Sequence, residues 1–244
     1  MRLLTFALLV LTMFGHNAFA AGPYKVASDC TWPPMELLDD QKQPTGYSVD
    51  YIKEAGKAAG FDVDVQNVAW DGIFGGVATN KYDIVASSTT ITPERQKKFD
   101  FSDPYYEVVQ AVILPAGQNI KNLADLKGKK VGGQIGTTGI FVMRKADAGA
   151  DLREYDDIGL AIQDLVGGRL DAVICDDPVA MYYVNKKPDT AGKLNLSFKT
   201  DDKEYYGFTV KKGRQDLVEK INKGIKAVKE SGKEAELKKK WMGE

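Results

Sequence analysis

Apolar residues recur along this chain in two rhythms. Short runs rich in Val and Ile lie at residues 24–28, 63–68, 82–87, 111–115, 130–134, 172–175 and 207–211. Their length and β-branched content predict buried strands, because a strand covered on both faces needs no polar alternation. Between them the apolar positions take helical spacing. Tyr51, Ile52, Ala55, Ala58 and Ala59 form one stripe, stopped by Gly60 as a C-cap. Leu217, Val218, Ile221, Ile225 and Val228 form another near the C-terminus. Strands alternating with helices predict an α/β fold with mainly parallel sheets. No repeat, low-complexity tract or Pro/Ser-rich linker divides the chain.

The first twenty residues follow neither rhythm. In MRLLTFALLVLTMFGHNAFA, Arg2 precedes an apolar run, and Ala18, Phe19 and Ala20 give a small-x-small site. This is the pattern of a cleaved secretory signal, and the run is too short to span a bilayer. It predicts an exported, soluble, periplasmic protein. No Cys stands at the cleavage point, which argues against a lipid anchor.

Composition then narrows the chemistry. The 244 residues carry 33 Lys+Arg against 34 Asp+Glu, and loss of Arg2 makes the balance 32 against 34. Such near-neutrality excludes the strongly basic footprint of a nucleic-acid binder. Two Cys exclude a disulfide scaffold and a four-Cys zinc site. The single histidine, His16, falls inside the signal, so the processed chain has none. Ser-His-Asp and Cys-His catalysis and histidine metal sites are excluded together, and no metal or cofactor is expected. The glycine-rich stretch 132–139 (GGQIGTTG) matches neither dinucleotide nor P-loop spacing. A strand-to-helix turn there would still seat an anion such as a carboxylate. Lys238, Lys239 and Lys240 read as a solvated helix face.

Eight segments occur in a specific order: 28–36 (SDCTWPPME), 45–50 (TGYSVD), 70–73 (WDGI), 89–95 (TTITPER), 99–106 (FDFSDPYY), 126–132 (LKGKKVG), 136–138 (GTT) and 171–176 (DAVICD). Across essentially the whole processed chain this series resembles the periplasmic polar amino-acid-binding proteins of ABC importers, solute-binding protein family 3. The resemblance implies the type II periplasmic-binding-protein fold, with two α/β lobes and a ligand cleft between them. Lobe 1 would take residues 22–107 plus 207–244, and lobe 2 residues 108–206. Hinge closure around a free L-amino acid would follow, with membrane permease subunits as partners, and a monomer in solution.

The resemblance also assigns residues, and their chemistry can be argued alongside. A buried amino acid needs partners for its carboxylate, its ammonium and its side chain. Arg95 offers the planar fork that suits a carboxylate; with Thr90, and Thr138 from lobe 2, it matches the family's carboxylate site. The competing role for Arg95 is a surface salt bridge to Glu94 or Asp100. Asp176 ends a strand, where ligand groups gather in α/β sheets, and by resemblance takes the ammonium together with Ser88. Its competing role is a helix N-cap, for which Asp177 is better placed. Trp32 and Trp70 match aromatic positions that clamp the ligand side chain, although tryptophans are often simply core. Gln134 matches a position that varies with specificity.

With Arg95 and Asp176 assigned, Asp29 is left without a partner. A buried, unpaired carboxylate calls for a ligand side chain that donates hydrogen bonds or carries positive charge. Lysine, arginine, histidine or ornithine therefore fit best and glutamine next, with Glu36 either adding to the acidic field or solvated. Cys30 and Cys175 adjoin Asp29 and Asp176. They read as small buried residues beside the cleft, with a closure-dependent disulfide as the sharper alternative. Two rival functions remain. A cyclohexadienyl dehydratase resembles this scaffold, but where that family has its Glu general acid this chain has Val179, which argues against an enzyme. A ligand-sensing receptor domain is the other.

Overall fold

The computed structural model describes residues 22–243, so the signal segment expected at 1–20 lies outside the described residues. Strand β1 (Tyr24–Ser28) leads into a small antiparallel meander of β2 (Thr31–Trp32), β3 (Glu36–Leu38) and β4 (Pro44–Thr45). Helix α1 (Tyr47–Ala59), β5 (Val63–Asn67) and α2 (Trp70–Ala78) come next, then β6 (Ile84–Val85), α3 (Pro93–Gln96) and β7 (Phe99–Phe101). Strand β8 (Tyr106–Val108) carries the chain out to β9 (Gln110–Pro115). There β10 (Lys130–Gln134), α4 (Thr138–Ala146), β11 (Asp151–Tyr155) and α5 (Ile158–Val166) precede β12 (Ala172–Asp176), α6 (Asp177–Met181) and β13 (Leu194–Lys199). Strand β14 (Glu204–Tyr206) brings it back to β15 (Thr209–Lys211), followed by α7 (Gln215–Glu230) and α8 (Lys233–Trp241).

Two five-stranded sheets result, ordered β5-β1-β6-β15-β7 and β11-β10-β12-β9-β13. Each has a single strand running against its neighbours, β15 in the first and β9 in the second. The reversed strand is in each case the one that has just crossed from the other sheet. The crossing segments β8 and β14 pair antiparallel with each other. The architecture is therefore two-lobed and mainly parallel within each lobe, as the fold class expected.

Helices cover both faces of each sheet, which is why the central strands read as unbroken apolar runs. One core cluster runs from Val26, Tyr51 and Ile84 through Trp32 and Cys175 to Ile158 and Val173, while smaller clusters back each sheet on its far side. Helix α1 starts at Tyr47 because Gly46, at φ 123°, passes so close to the meander that a Cβ would lie 2.3 Å from the Met35 carbonyl oxygen. It ends at Gly60, in the left-handed conformation the stripe required. Its buried face includes Tyr47, Ser48, Tyr51, Ile52 and Ala55, whereas Ala58, expected in the stripe, is exposed. Helix α7 crosses it at Gly224, where a Cβ would lie 2.3 Å from the Ala55 carbonyl oxygen. All five residues of the C-terminal stripe are buried.

Strands absent from the sequence reading are the meander, β7, β8, β11, β13 and β14. These are short or lie at edges, and β11, for instance, carries Asp151, Arg153 and Glu154 toward solvent.

Candidate functional site

A cavity lies between the lobes, enclosing about 310 Å³ when its open mouth is included. All nine residues assigned to the ligand from the sequence line it: Asp29, Trp32, Trp70, Ser88, Thr90, Arg95, Gln134, Thr138 and Asp176, joined by Ser87 and Thr137. They arrive from strand ends and strand-to-helix turns of both lobes, where α/β sheets expose backbone and side-chain polar groups.

One end of the cavity is built around Arg95. Pro93 opens α3, and Thr92 caps it by accepting the Arg95 backbone N–H at 3.2 Å. From that turn the guanidinium reaches back to donate to the Thr90 carbonyl (2.8 Å) and across the cleft to the Gly136 carbonyl (3.1 Å). Its flat face lies 5.6 Å from the rings of Trp70 and Phe74, in the range of cation–π attraction. Neither acid weighed against it occupies the guanidinium: Asp100 pairs with Lys212 at 2.7 Å, and Glu94 points to solvent. Burial pulls the Arg95 pKa down to about 10, opposed by Asp176 and Glu204, so it stays protonated at neutral pH. Thr90 and Thr138 bring their hydroxyls to 3.3 Å across the cleft, and Thr138 begins α4. Arg95, two hydroxyls and a helix N-terminus are groups whose chemistry suits a carboxylate.

Asp176 ends β12 and is buried. Its carboxylate accepts from Gln110 Nε2 (2.6 Å), from Tyr206 Oη, and across the cleft from Trp32 Nε1 (3.2 Å). Burial outweighs these neutral donors and raises its pKa to about 7. By backbone position Asp176 is the N-cap of α6, yet its side chain makes no capping bond and faces the cavity. Asp177, favoured from the sequence as the cap, is instead the first helical residue. Its carboxylate takes the Val109 N–H (3.2 Å) and Lys199 (2.8 Å), tying α6 to its own sheet. Ser88 lies close by with φ 44°, and its hydroxyl donates to Glu36.

Asp29 marks the other end. The expectation that it lacks a partner is corrected in one respect: it accepts hydrogen bonds from Thr31 Oγ1 (2.8 Å), the Thr31 N–H (3.2 Å) and, across the cleft, Gln134 Nε2 (2.8 Å). All are neutral donors, and no cation within ion-pair distance faces it among the described residues. Burial raises its pKa, and the nearby Asp157 adds to the rise. Gln134 also donates to the Asp156 carbonyl at 2.8 Å, so one amide spans both lobes. Glu36 is fully buried, which removes the solvated reading, and burial holds its pKa well above the usual carboxylate range.

The two tryptophans are 6% and 7% exposed. They do more than provide faces: Trp32 donates to Asp176, and Trp70 backs Arg95. Cys30 and Cys175 are buried free thiols, not a disulfide. Burial pushes the Cys30 thiol up to about 12 and Cys175 well above its ordinary value, which disfavours the nucleophilic thiolate at both.

Sequence reasoning missed Gln110, at the start of β9, and Glu204 and Tyr206, on the crossing strand β14, which enclose Asp176 and Thr90. A signal existed for Gln110, a lone amide inside the apolar run VVQAVIL, since a buried polar group in such a run demands partners. Glu204 and Tyr206 lie in a charged, irregular stretch and carried none.

Comparison with known proteins bears on this geometry. Residues 24–244 match the model for bacterial extracellular solute-binding proteins, family 3. The L-cystine-binding protein TcyJ of Escherichia coli strain K12 is 33% identical over 224 residues, covering 91% of this chain and 83% of its own. An ancestral arginine-binding protein solved with glutamine bound superposes with a TM-score of 0.86 at 38% identity, covering 92% of this chain and 99% of that one. An ancestral amino acid-binding protein described as a precursor of cyclohexadienyl dehydratase gives 0.81 at 34% identity, covering 90% and 95%. With a family model spanning nearly its whole length, this chain belongs to the bacterial extracellular solute-binding proteins, family 3.

Proposed function

We propose that the chain is the periplasmic substrate-binding component of an amino-acid ABC importer. It captures one free L-amino acid by hinge closure and presents it, as a monomer, to permease subunits. The ligand is basic (arginine, lysine, histidine or ornithine), with glutamine second. Arg95, Thr90 and Thr138 take the carboxylate, Asp176 and Ser88 the ammonium, and Asp29, Gln134, Trp32 and Trp70 the side chain. Lobe 1 comprises 22–107 plus 207–244 and lobe 2 comprises 108–206, with the β8–β14 pair as hinge.

The observation that carries the reading is a charge imbalance in one enclosed space. Arg95 is the cation of the cavity, while Asp29 and Asp176 line it and Glu36 lies buried behind Ser88. A ligand with one carboxylate and two positive groups offsets that imbalance; glutamate or aspartate would deepen it. The relatives' arginine and cystine specificities support an amino acid as the ligand class. The dehydratase reading draws on the precursor protein but stops at Val179, which is wholly buried and cannot move a proton.

Thermal unfolding of the ligand-free protein with each of the twenty amino acids, ornithine and cystine tests the proposal. Arginine, lysine, histidine or ornithine should raise the midpoint by mass action, glutamine less, and glutamate not at all. A shift by cystine alone would reassign the side-chain end. Turnover of prephenate above background would replace binding with catalysis.

A further inference from the structure

Glu36 is a wholly buried acid that does not line the cavity. It occupies an inward position of β3, beneath Ser88, whose Oγ lies 2.8 Å from one Glu36 carboxyl oxygen and 3.0 Å from the other. Ser48 hydrogen-bonds the same carboxyl and accepts the Tyr105 hydroxyl at 2.9 Å. Ser88 is itself unusual, a non-glycine residue at φ 44° on the cavity wall. A serine hydroxyl has one proton and two lone pairs, so whatever binds the proton decides what the other side presents. We propose that Glu36 is a positioning residue for the ammonium end: it takes the Ser88 proton from behind, leaving the Ser88 lone pairs to accept from the ligand's α-ammonium. This rests on the assignment of Ser88 to that ammonium. Without the buried acceptor, the Ser88 proton keeps only the longer contact to Ser48 Oγ (3.4 Å) and can turn into the cavity, where it opposes a cation. The serine would then be a donor at the one place where an acceptor is needed.

The test separates orientation from general support by reading a ratio of affinities. Arginine and 5-guanidinopentanoate, which is arginine without its α-amino group, are titrated into the wild-type protein and variants. Glu36→Met should weaken arginine by about 10- to 100-fold, the range for losing a hydrogen bond to a charged group, while barely changing 5-guanidinopentanoate. Glu36→Gln, which keeps one acceptor oxygen against Ser88, should retain the wild-type ratio within about threefold. Ser88→Ala should lose the ratio, and adding Glu36→Met to it should lose no more. If Glu36→Met does not fold, Glu36→Leu takes its place, and Glu36→Gln against Ser88→Ala can still refute the proposal. A wild-type ratio in Glu36→Met, equal weakening of both probes, or a Glu36→Gln ratio as low as that of Ser88→Ala overturns the proposal. A wild-type protein that binds no amino acid at all refutes instead the reading of the site on which it rests.

Discussion

The Asp176 and Asp29 ends of the cavity hold the same functional group by different means. Asp176 is fixed by three neutral donors, two of them, Gln110 and Tyr206, from the start of β9 and the crossing strand β14. Asp29 is held within its own lobe by Thr31 and bridged to the other by Gln134 alone. The first carboxylate is braced from the strands that join the two sheets, and the second is joined across the cleft by one amide. That division suits the chemistry of amino acids. Every ligand brings the same ammonium, and only the side chain differs. On the assignment proposed above, constant chemistry falls on the braced end and variable chemistry on the adjustable one.

The largest effects should come from the constant end. Asp176→Asn is expected to weaken every amino acid tested by at least about 100-fold, since it leaves a buried ammonium without its charge partner. Because the carboxylate is desolvated in the empty protein, the same change should leave the empty-state melting point unchanged or raise it. Arg95→Ala should likewise abolish binding of all amino acids in calorimetry. Here a fall of the empty-state melting point by more than a few degrees would mark the guanidinium as a brace between Thr90 and Gly136. A ligand-selective loss in either variant would break the comparison at its rigid end.

Asp29→Asn should have a smaller, selective effect. Arginine and lysine are expected to lose about tenfold, and glutamine to change by less than about threefold, because the amide keeps acceptor capacity but no charge. Competition titration of the two ligand types against the variant measures the difference directly. Equal losses would mean that Asp29 shapes the cavity without reading charge.

The same contrast explains what was legible in the sequence. The lining residues are carried by short turns such as SDCTWPPME, TTITPER and GTT, whose local geometry follows from strand ends, a Thr-Pro helix start and a glycine turn. The central strands were legible because burial on both faces leaves them apolar. Hydrogen-bond partners were not. Nothing local says that Trp32 meets Asp176 or that Gln134 meets Asp29, pairs separated by 144 and 105 residues. These contacts exist only once two separately wound sheets face each other. Glu36 shows the same limit from the other side: adjacent to Leu37 and Leu38, it could be placed on either face of its strand, and only the fold puts it beneath Ser88.

The effect that most sharpens the contrast is the response to pH. The Asp176 pKa lies near 7 in the folded protein against 3.8 for an ordinary aspartate, so the fold binds its proton more tightly than the unfolded chain does. The resulting stabilisation is fully present below about pH 4 and is lost as pH rises through about 7. Acidifying the ligand-free protein from 7.5 to 5 should therefore raise its stability, by at most about 1.4 kcal/mol per pH unit for one proton. Asp29 and Glu36, whose pKa values are also raised by burial, act in the same direction. Binding should move the opposite way. An ammonium needs the ionised carboxylate, so affinity should fall by up to about tenfold per unit below pH 7. Near pH 6, binding should release close to one proton, measured by calorimetry in buffers of different ionisation enthalpy. In Asp176→Asn the acid stabilisation of the empty protein should flatten but not vanish, and the remainder belongs to the Asp29 end and Glu36. If the slope is unchanged in that variant, the proton resides on those two carboxylates, and the constant end of the cavity is ionised throughout.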